Sequence, residues 1–245
     1  MPRYFIEVSY KGTNYSGFQV QQNANSIQAE IEKALKIYYK EDFKLTGSSR
    51  TDAGVHAVQN FFHFDSEQAI EDQSYHLNAI LPKDIVIKKL FAVQPDSHCR
   101  FDAISREYTY YLYQQKDPFK EDRAYFFPYT LDLGLLNEAA GELLNVHDFT
   151  TFSKRNTQVK TAICDITQSK WSQENDVFTY RVVSNRFLRG MVRGMVGTML
   201  QVGRGRITVE QFNNIIQSRD CSKADFSVPP QGLFLQKVNF PKIYS

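Results

Sequence analysis

Residues 3–10 alternate β-branched and aromatic side chains with polar ones, a period of two that predicts a strand. A turn-rich loop follows at residues 11–17. From residue 27 the spacing changes. Apolar side chains at Ile27, Ile31, Ala34, Leu35 and Tyr38 recur at helical intervals and predict one buried helix face. Ser26 stands where an N-cap hydroxyl belongs, and Glu30 and Glu32 put negative charge in the N-terminal half, where the helix dipole favours it. Residues 42–46 and 58–64 predict two short strands on either side of a loop. A helix over 74–81 stops before Pro82, and residues 84–93 return as a strand. The first half therefore reads β-α-β-β-α-β.

The second half repeats that order with longer pieces and no residue-level likeness. Residues 105–115 predict a Tyr-rich strand, 131–144 an amphipathic helix, and 161–171 with 177–184 a hairpin turning at 172–176. Helices are predicted over 189–202 and 209–217, and a last strand over 233–240. The pattern implies an α+β fold of two fused split β-α-β halves, RRM-like or ferredoxin-like, with a mainly antiparallel central sheet and helices packed on one side. The expected halves are 1–104 and 105–245. No Pro/Gly/Ser-rich linker separates them near residues 95–105, so one cleft between them is expected.

Composition narrows the class without naming it. With 245 residues, 42% hydrophobic and 23% charged, the chain can bury a sizeable core. The net charge of +2 points to no partner, but its distribution does. Arg181, Arg186, Arg189, Arg193, Arg204 and Arg206 occur in a stretch without an acidic residue, a candidate phosphate-facing surface. Cys99, Cys164 and Cys221 are far apart and form no C-x-x-C, and the histidines show no ligand spacing. That argues against a disulfide framework or a zinc site and for a reducing compartment. No signal peptide and no apolar run of about 18 residues is present, so the cytoplasm is the expected location.

The candidate chemistry sits between the strands at 42–46 and 58–64. Ser48-Ser49-Arg50-Thr51-Asp52-Ala53-Gly54-Val55-His56-Ala57 puts a carboxylate two residues from an arginine, on a loop where Gly54 can adopt a conformation other residues avoid. An ionised aspartate held this way can serve as nucleophile, base or metal ligand. The alternative is a turn-forming Asp52 with Arg50 bracing it.

These residues, with others in the same order, resemble the tRNA pseudouridine synthase A family. Arg50 to Ala57 is similar to that family's catalytic loop. Tyr10-Lys11-Gly12, Gly17-Phe18-Gln19, Ser26-Ile27-Gln28 and Glu32 to Leu35 resemble its opening. Arg100-Phe101, Arg106-x-Tyr108-x-Tyr110, His147 to Phe152, Phe187-Leu188, Met191-Val192-Arg193, Val196-Gly197 and Pro229 to Leu233 continue the likeness over essentially the whole chain. Ser49 stands where the family usually has Gly, as does Asn145 just before His147. Both leave every chemical group in place and bear on loop geometry alone.

The resemblance implies a cofactor-free isomerisation that breaks the N-glycosidic bond of a uridine, turns the base and rejoins it through carbon. It gives Asp52 the nucleophile's role, by attack on sugar or base or by removal of a ribose proton, and makes Arg193 its basic partner. Tyr108 would stack on the flipped uracil, Arg50 would displace a base or hold a phosphate, and Leu233 would close the pocket's apolar wall. His56, Asp148 and Phe149 are expected to be structural. The implied substrate is uridine 38, 39 or 40 of the tRNA anticodon stem-loop, and the implied assembly a homodimer. Arg189 and Arg204 are candidate contacts to the tRNA backbone. A non-catalytic RRM-like module would show RNP-type aromatic consensus, which is missing. An aspartyl phosphotransferase would need D-x-D or a phosphate loop, and neither occurs.

Overall fold

The computed structural model describes residues 1–154 and 161–241. The chain divides into two compact units, one of residues 1–104 together with the segment from Phe234 onward, the other Ser105–Leu233. The fold is mixed α/β with mainly antiparallel pairing, as the alternation of patterns implies.

In the first unit, β1 (Arg3–Tyr10), α1 (Ile27–Tyr39), β2 (Thr46–Gly47), β3 (His56–Asp65), α2 (Ser74–Ile80) and β4 (Ile85–Val93) follow one another in the expected order. β1 lies between β3 and β4 and is antiparallel to both. Along β1 and β3 the register moves from Val8↔Asn60 to Tyr10↔Ala57, so β3 carries one extra residue there. Such a bulge re-aims the side chains beside it. Ser26 caps α1 by accepting from the Ala29 amide at 3.2 Å, and Ile27, Ile31, Ala34 and Leu35 are its buried face. Phe18 stacks on Phe62 with centroids 4.4 Å apart, in a core that includes Phe5, Ile6 and Val8.

The strand expected over 42–46 shrinks to Thr46–Gly47. The reason lies in α1. The Leu45 amide donates to Glu32 Oε1 at 3.0 Å, and the Leu45 carbonyl accepts from Gln28 Nε2 at 2.9 Å. Side chains thus take the backbone groups that a strand partner would have used.

The second unit holds β5 (Ser105–Tyr113), β6 (Tyr125–Phe126), α3 (Leu133–Glu142), β7 (Ile166–Glu174), β8 (Val177–Ser184), α4 (Met191–Gly203) and α5 (Val209–Gln217). β8 pairs antiparallel with β5 on one side and β7 on the other. The hairpin turns later than expected, at Asn175–Asp176, because Asn175 takes a left-handed φ of 53° and permits a tight turn. The start of the expected strand, residues 161–165, pairs elsewhere: the Phe149 amide donates to Ala162 O and the Cys164 amide to His147 O. Residues 155–160 lie outside the described residues.

The last strand, β9 (Leu233–Asn239), departs from the expected division at 104/105. Phe234 and Leu235 pair in parallel with His56 and Ala57 of β3, so the segment from Phe234 belongs with the N-terminal unit.

α4 explains two glycines that cost helix stability. A Cβ on Gly197 would lie 2.1 Å from Asp225 O, and one on Gly194 would lie 2.7 Å from the Phe226 ring. Their absence lets the 225–228 segment lie directly on the helix, where Thr198 Oγ1 accepts from the Asp225 amide at 3.0 Å. Replacing Gly197 by Ala should therefore force backbone apart and destabilise the protein by about 1–3 kcal/mol. The urea unfolding midpoint measures this; an unchanged midpoint would mean the segment does not rest on α4.

Candidate active site

The loop carrying Asp52 is held from beneath by buried polar groups. Asn60, fully buried, donates through Nδ2 to the Ser49 carbonyl at 2.8 Å and to the Tyr10 hydroxyl at 3.2 Å. Its Oδ1 accepts from the Phe61 amide at 2.9 Å, which fixes which way the amide faces. The Tyr10 hydroxyl lies 2.7 Å from Thr51 Oγ1, and the Thr51 carbonyl accepts from the Phe18 amide at 3.1 Å. Beyond Asp52, its own carbonyl accepts from the Val55 amide at 3.1 Å, closing a turn in which Gly54 has a φ of 77°. Thus the residues flanking Asp52 are fixed while its side chain stays half-exposed.

His56 supports the far end of the loop. Its Nδ1 accepts from the Gly12 amide at 3.1 Å, and its ring stacks on Phe234 at 4.5 Å. This is the structural part expected of it. Ser49 is buried with an ordinary negative φ, so it fits without backbone strain. Arg50 is exposed and makes no hydrogen bond or ion pair among the described residues, so it does not brace the loop.

The other expected site residues lie in the second unit. Arg193 projects from α4, half-buried. Its Nε donates to Val228 O at 2.7 Å and its Nη2 to Phe226 O at 3.4 Å, so it does not run out to solvent. The same segment accepts the Tyr110 hydroxyl through Pro229 O at 2.8 Å and leads through residues 230–232 to Leu233, which is 7% exposed. Tyr110 follows Tyr108 on the same face of β5. Tyr108 is also 7% exposed, its ring edge-on to Phe187 with centroids 4.9 Å apart at 79°. Arg106, on that face too, ties β5 to Asn185 O at 2.9 Å. Arg193, Tyr110 and Leu233 thus share one segment as scaffold.

The arginines of the 181–206 stretch differ in their surroundings. Arg181 pairs bidentately with Glu107 at 2.6 and 2.8 Å. The Arg204 guanidinium lies 3.7 Å from the centroid of the Tyr129 ring. Arg189 and Arg206 are exposed. Asp148 accepts from Thr150 and pairs with Arg219 at 3.0 Å, and Phe149 is fully buried, which is loop support as expected.

The family described as tRNA pseudouridine synthase matches residues 6–102 and 139–241. A tRNA pseudouridine synthase A of Parabacteroides distasonis is 46% identical over 99% of this chain and 97% of its own length. One from Bacteroides thetaiotaomicron is 43% identical over 99% and 92%, and one from Staphylococcus aureus 38% over 96% and 90%. The chain belongs to the tRNA pseudouridine synthase family, enzymes that isomerise uridine to pseudouridine in tRNA.

Sequence spacing missed one cluster outside this site. His63, His98 and Cys99 bring ligand-type atoms within 4.8 Å of one another. Hydrogen bonds already occupy them: His63 Nδ1 lies 3.1 Å from Cys99 Sγ, and His98 Nδ1 accepts from the Arg100 amide at 3.1 Å and the Phe101 amide at 3.4 Å. Burial, reinforced by His98 and Arg3, pushes the His63 imidazole down to about 4. Between its ordinary value near 6.5 and that value, the unfolded chain binds a proton the native state lacks. Stability should therefore fall as pH drops from about 6.5 towards 4, with a slope of up to about 1.4 kcal/mol per pH unit from this group. His63→Gln should flatten the dependence of the urea midpoint on pH; an identical slope would assign the effect to another group.

Proposed function

We propose that this chain converts uridines 38, 39 and 40 of the tRNA anticodon stem-loop, with Asp52 as the nucleophile acting on a base turned out of the stack. The observation that carries this reading is the Asp52 loop itself. A half-exposed carboxylate stands between Thr51, held at its hydroxyl by Tyr10 and at its carbonyl by the Phe18 amide, and a turn closed by the Val55 amide on the Asp52 carbonyl. Pre-set geometry of this kind is what a positioned nucleophile needs. A turn-forming aspartate would need no such support on both flanks.

In this reading Arg193 is the basic partner of Asp52, its guanidinium already oriented by Val228 O and Phe226 O. Tyr108, its ring fixed by Phe187, supplies a stacking platform for uracil, and Leu233 an apolar wall. Arg50, exposed and without a protein partner among the described residues, displaces the base or holds a phosphate. Arg189 and Arg204 contribute contacts to the tRNA backbone. Neighbouring positions on one stem-loop are reached by reading shape and phosphates more than base edges. The two units are read as split β-α-β halves, the enzyme as a cytoplasmic homodimer, and the chemistry as cofactor-free. No helix among the described residues is long and apolar enough to cross a membrane.

Mapping pseudouridine in tRNA incubated with the purified protein tests the target positions; modification confined to sites outside the anticodon stem-loop would refute them. Asp52→Asn keeps shape and hydrogen bonding but removes the charge. It should leave melting and tRNA binding intact and abolish product above background. An Asn variant with substantial activity would show that Asp52 is not the nucleophile. For Tyr108, the ring should matter more than the hydroxyl: Tyr108→Phe keeps tRNA affinity, whereas Tyr108→Ala loses both base positioning and activity. Full turnover by the Ala variant would remove the stacking role.

A further inference from the structure

We infer that Tyr10 is a positioning residue for the reaction, its phenol holding Thr51 and through it the reactive carboxylate of Asp52. The inference rests on the reading of Asp52 as nucleophile. Asn60 must turn its amide nitrogen to the Ser49 carbonyl, because its oxygen accepts from the Phe61 amide. It therefore donates, and does not accept, at the Tyr10 oxygen. The phenol has one hydrogen of its own, and Thr51 Oγ1 at 2.7 Å is the remaining partner in this buried pocket. The chain of donors consequently runs Asn60 to Tyr10 to Thr51. Burial also raises the phenol's pKa, so the donor is present throughout the physiological range.

This chain is anchored in strands. Tyr10 ends β1 and Asn60 lies within β3, on either side of the bulge that shifts the register from Val8↔Asn60 to Tyr10↔Ala57. Thr51, in contrast, lies in the loop and has no strand partner. Its position is set by the Phe18 amide on its carbonyl and by Tyr10 on its hydroxyl. Removing the phenolic hydroxyl leaves one of two restraints on the residue preceding Asp52. It also leaves one Asn60 hydrogen without its acceptor. The ring itself, packed near Phe18 at 6.1 Å between centroids, is retained in Tyr10→Phe.

Positioning predicts a particular kinetic signature. In single-turnover and steady-state assays with tRNA, Tyr10→Phe should lower kcat by about tenfold to a hundredfold, the scale expected for a small misplacement of a reacting group. KM should stay within about twofold, because tRNA contacts are untouched. Thr51→Val removes the same bond from the other side and should lower kcat similarly. Thr51→Ser should restore it. The double variant Tyr10→Phe/Thr51→Val should be no slower than the slower single variant, since both delete one interaction.

The inference is overturned if Tyr10→Phe turns over like the parent, or if its loss of rate only tracks a smaller folded fraction measured in the same samples. Should Tyr10→Phe fold poorly, Thr51→Val and Thr51→Ser decide the matter by the same criteria. Asp52→Asn, run alongside, separates the two levels of argument. An inactive Asn variant beside a fully active Tyr10→Phe removes Tyr10's role alone, whereas an active Asn variant removes the role of Asp52 and with it the reason to position that loop.

Discussion

A fully buried amide must satisfy its two hydrogens and its oxygen inside the protein, and Asn60 does so by binding three different parts of the chain. It takes up the carbonyl of Ser49 on the loop, the hydroxyl of Tyr10 at the end of β1, and the amide of Phe61 next to it. Leaving any of these groups unpaired in the interior costs about 1–3 kcal/mol, so the three are effectively fixed to one another. The arrangement of the loop follows from this constraint. Ser49, Thr51 and the turn from Asp52 to Val55 are set by groups that cannot relax to water. The carboxylate side chain between them is the part left half-exposed.

How much of this could be read from the sequence depended on the range of the interaction. Local periodicity and capping located α1 almost residue for residue, because Ser26, Ile27, Ile31, Ala34 and Leu35 act within one helix. The pattern failed where distant side chains took over the backbone. Gln28 and Glu32 hold Leu45, so the strand expected over 42–46 is reduced to two residues, and nothing near Leu45 announces it. The delayed hairpin turn depends on Asn175, which takes the left-handed geometry and lies within a polar run where periodicity marks no single turn position. The partner of β9 could not be read at all, since parallel pairing with β3 leaves no local mark.

The proposed site residues have a different origin. Asp52, Arg193, Tyr108, Arg50 and Leu233 came from ordered motifs shared with a family, and their individual environments add chemistry that motifs do not show. Arg193 donates to carbonyls on a segment admitted by two small residues of α4. Within the arginine-rich stretch Arg181 is tied to Glu107 and Arg204 lies on Tyr129. Charge counted along a chain ignores which way successive residues point. Tyr10 was part of a recognised motif, but its bond to Thr51 joins residues 41 apart and belongs to the fold.

The placement of β9 has a consequence for how the protein comes into being. His56 and Ala57, which follow the Asp52 loop directly, are paired by Phe234 and Leu235, and His56 stacks on Phe234. During synthesis the loop leaves the ribosome early, while these partners are added nearly 180 residues later. Until then the corresponding edge of β3 carries open backbone groups, a surface on which other strands can pair. Long-range closure of this kind is slow compared with forming helices and hairpins. The order of translation therefore withholds the last support of the loop until the whole intervening unit has been made, and a nascent chain interrupted before residue 234 is left with an unfinished, adhesive sheet edge.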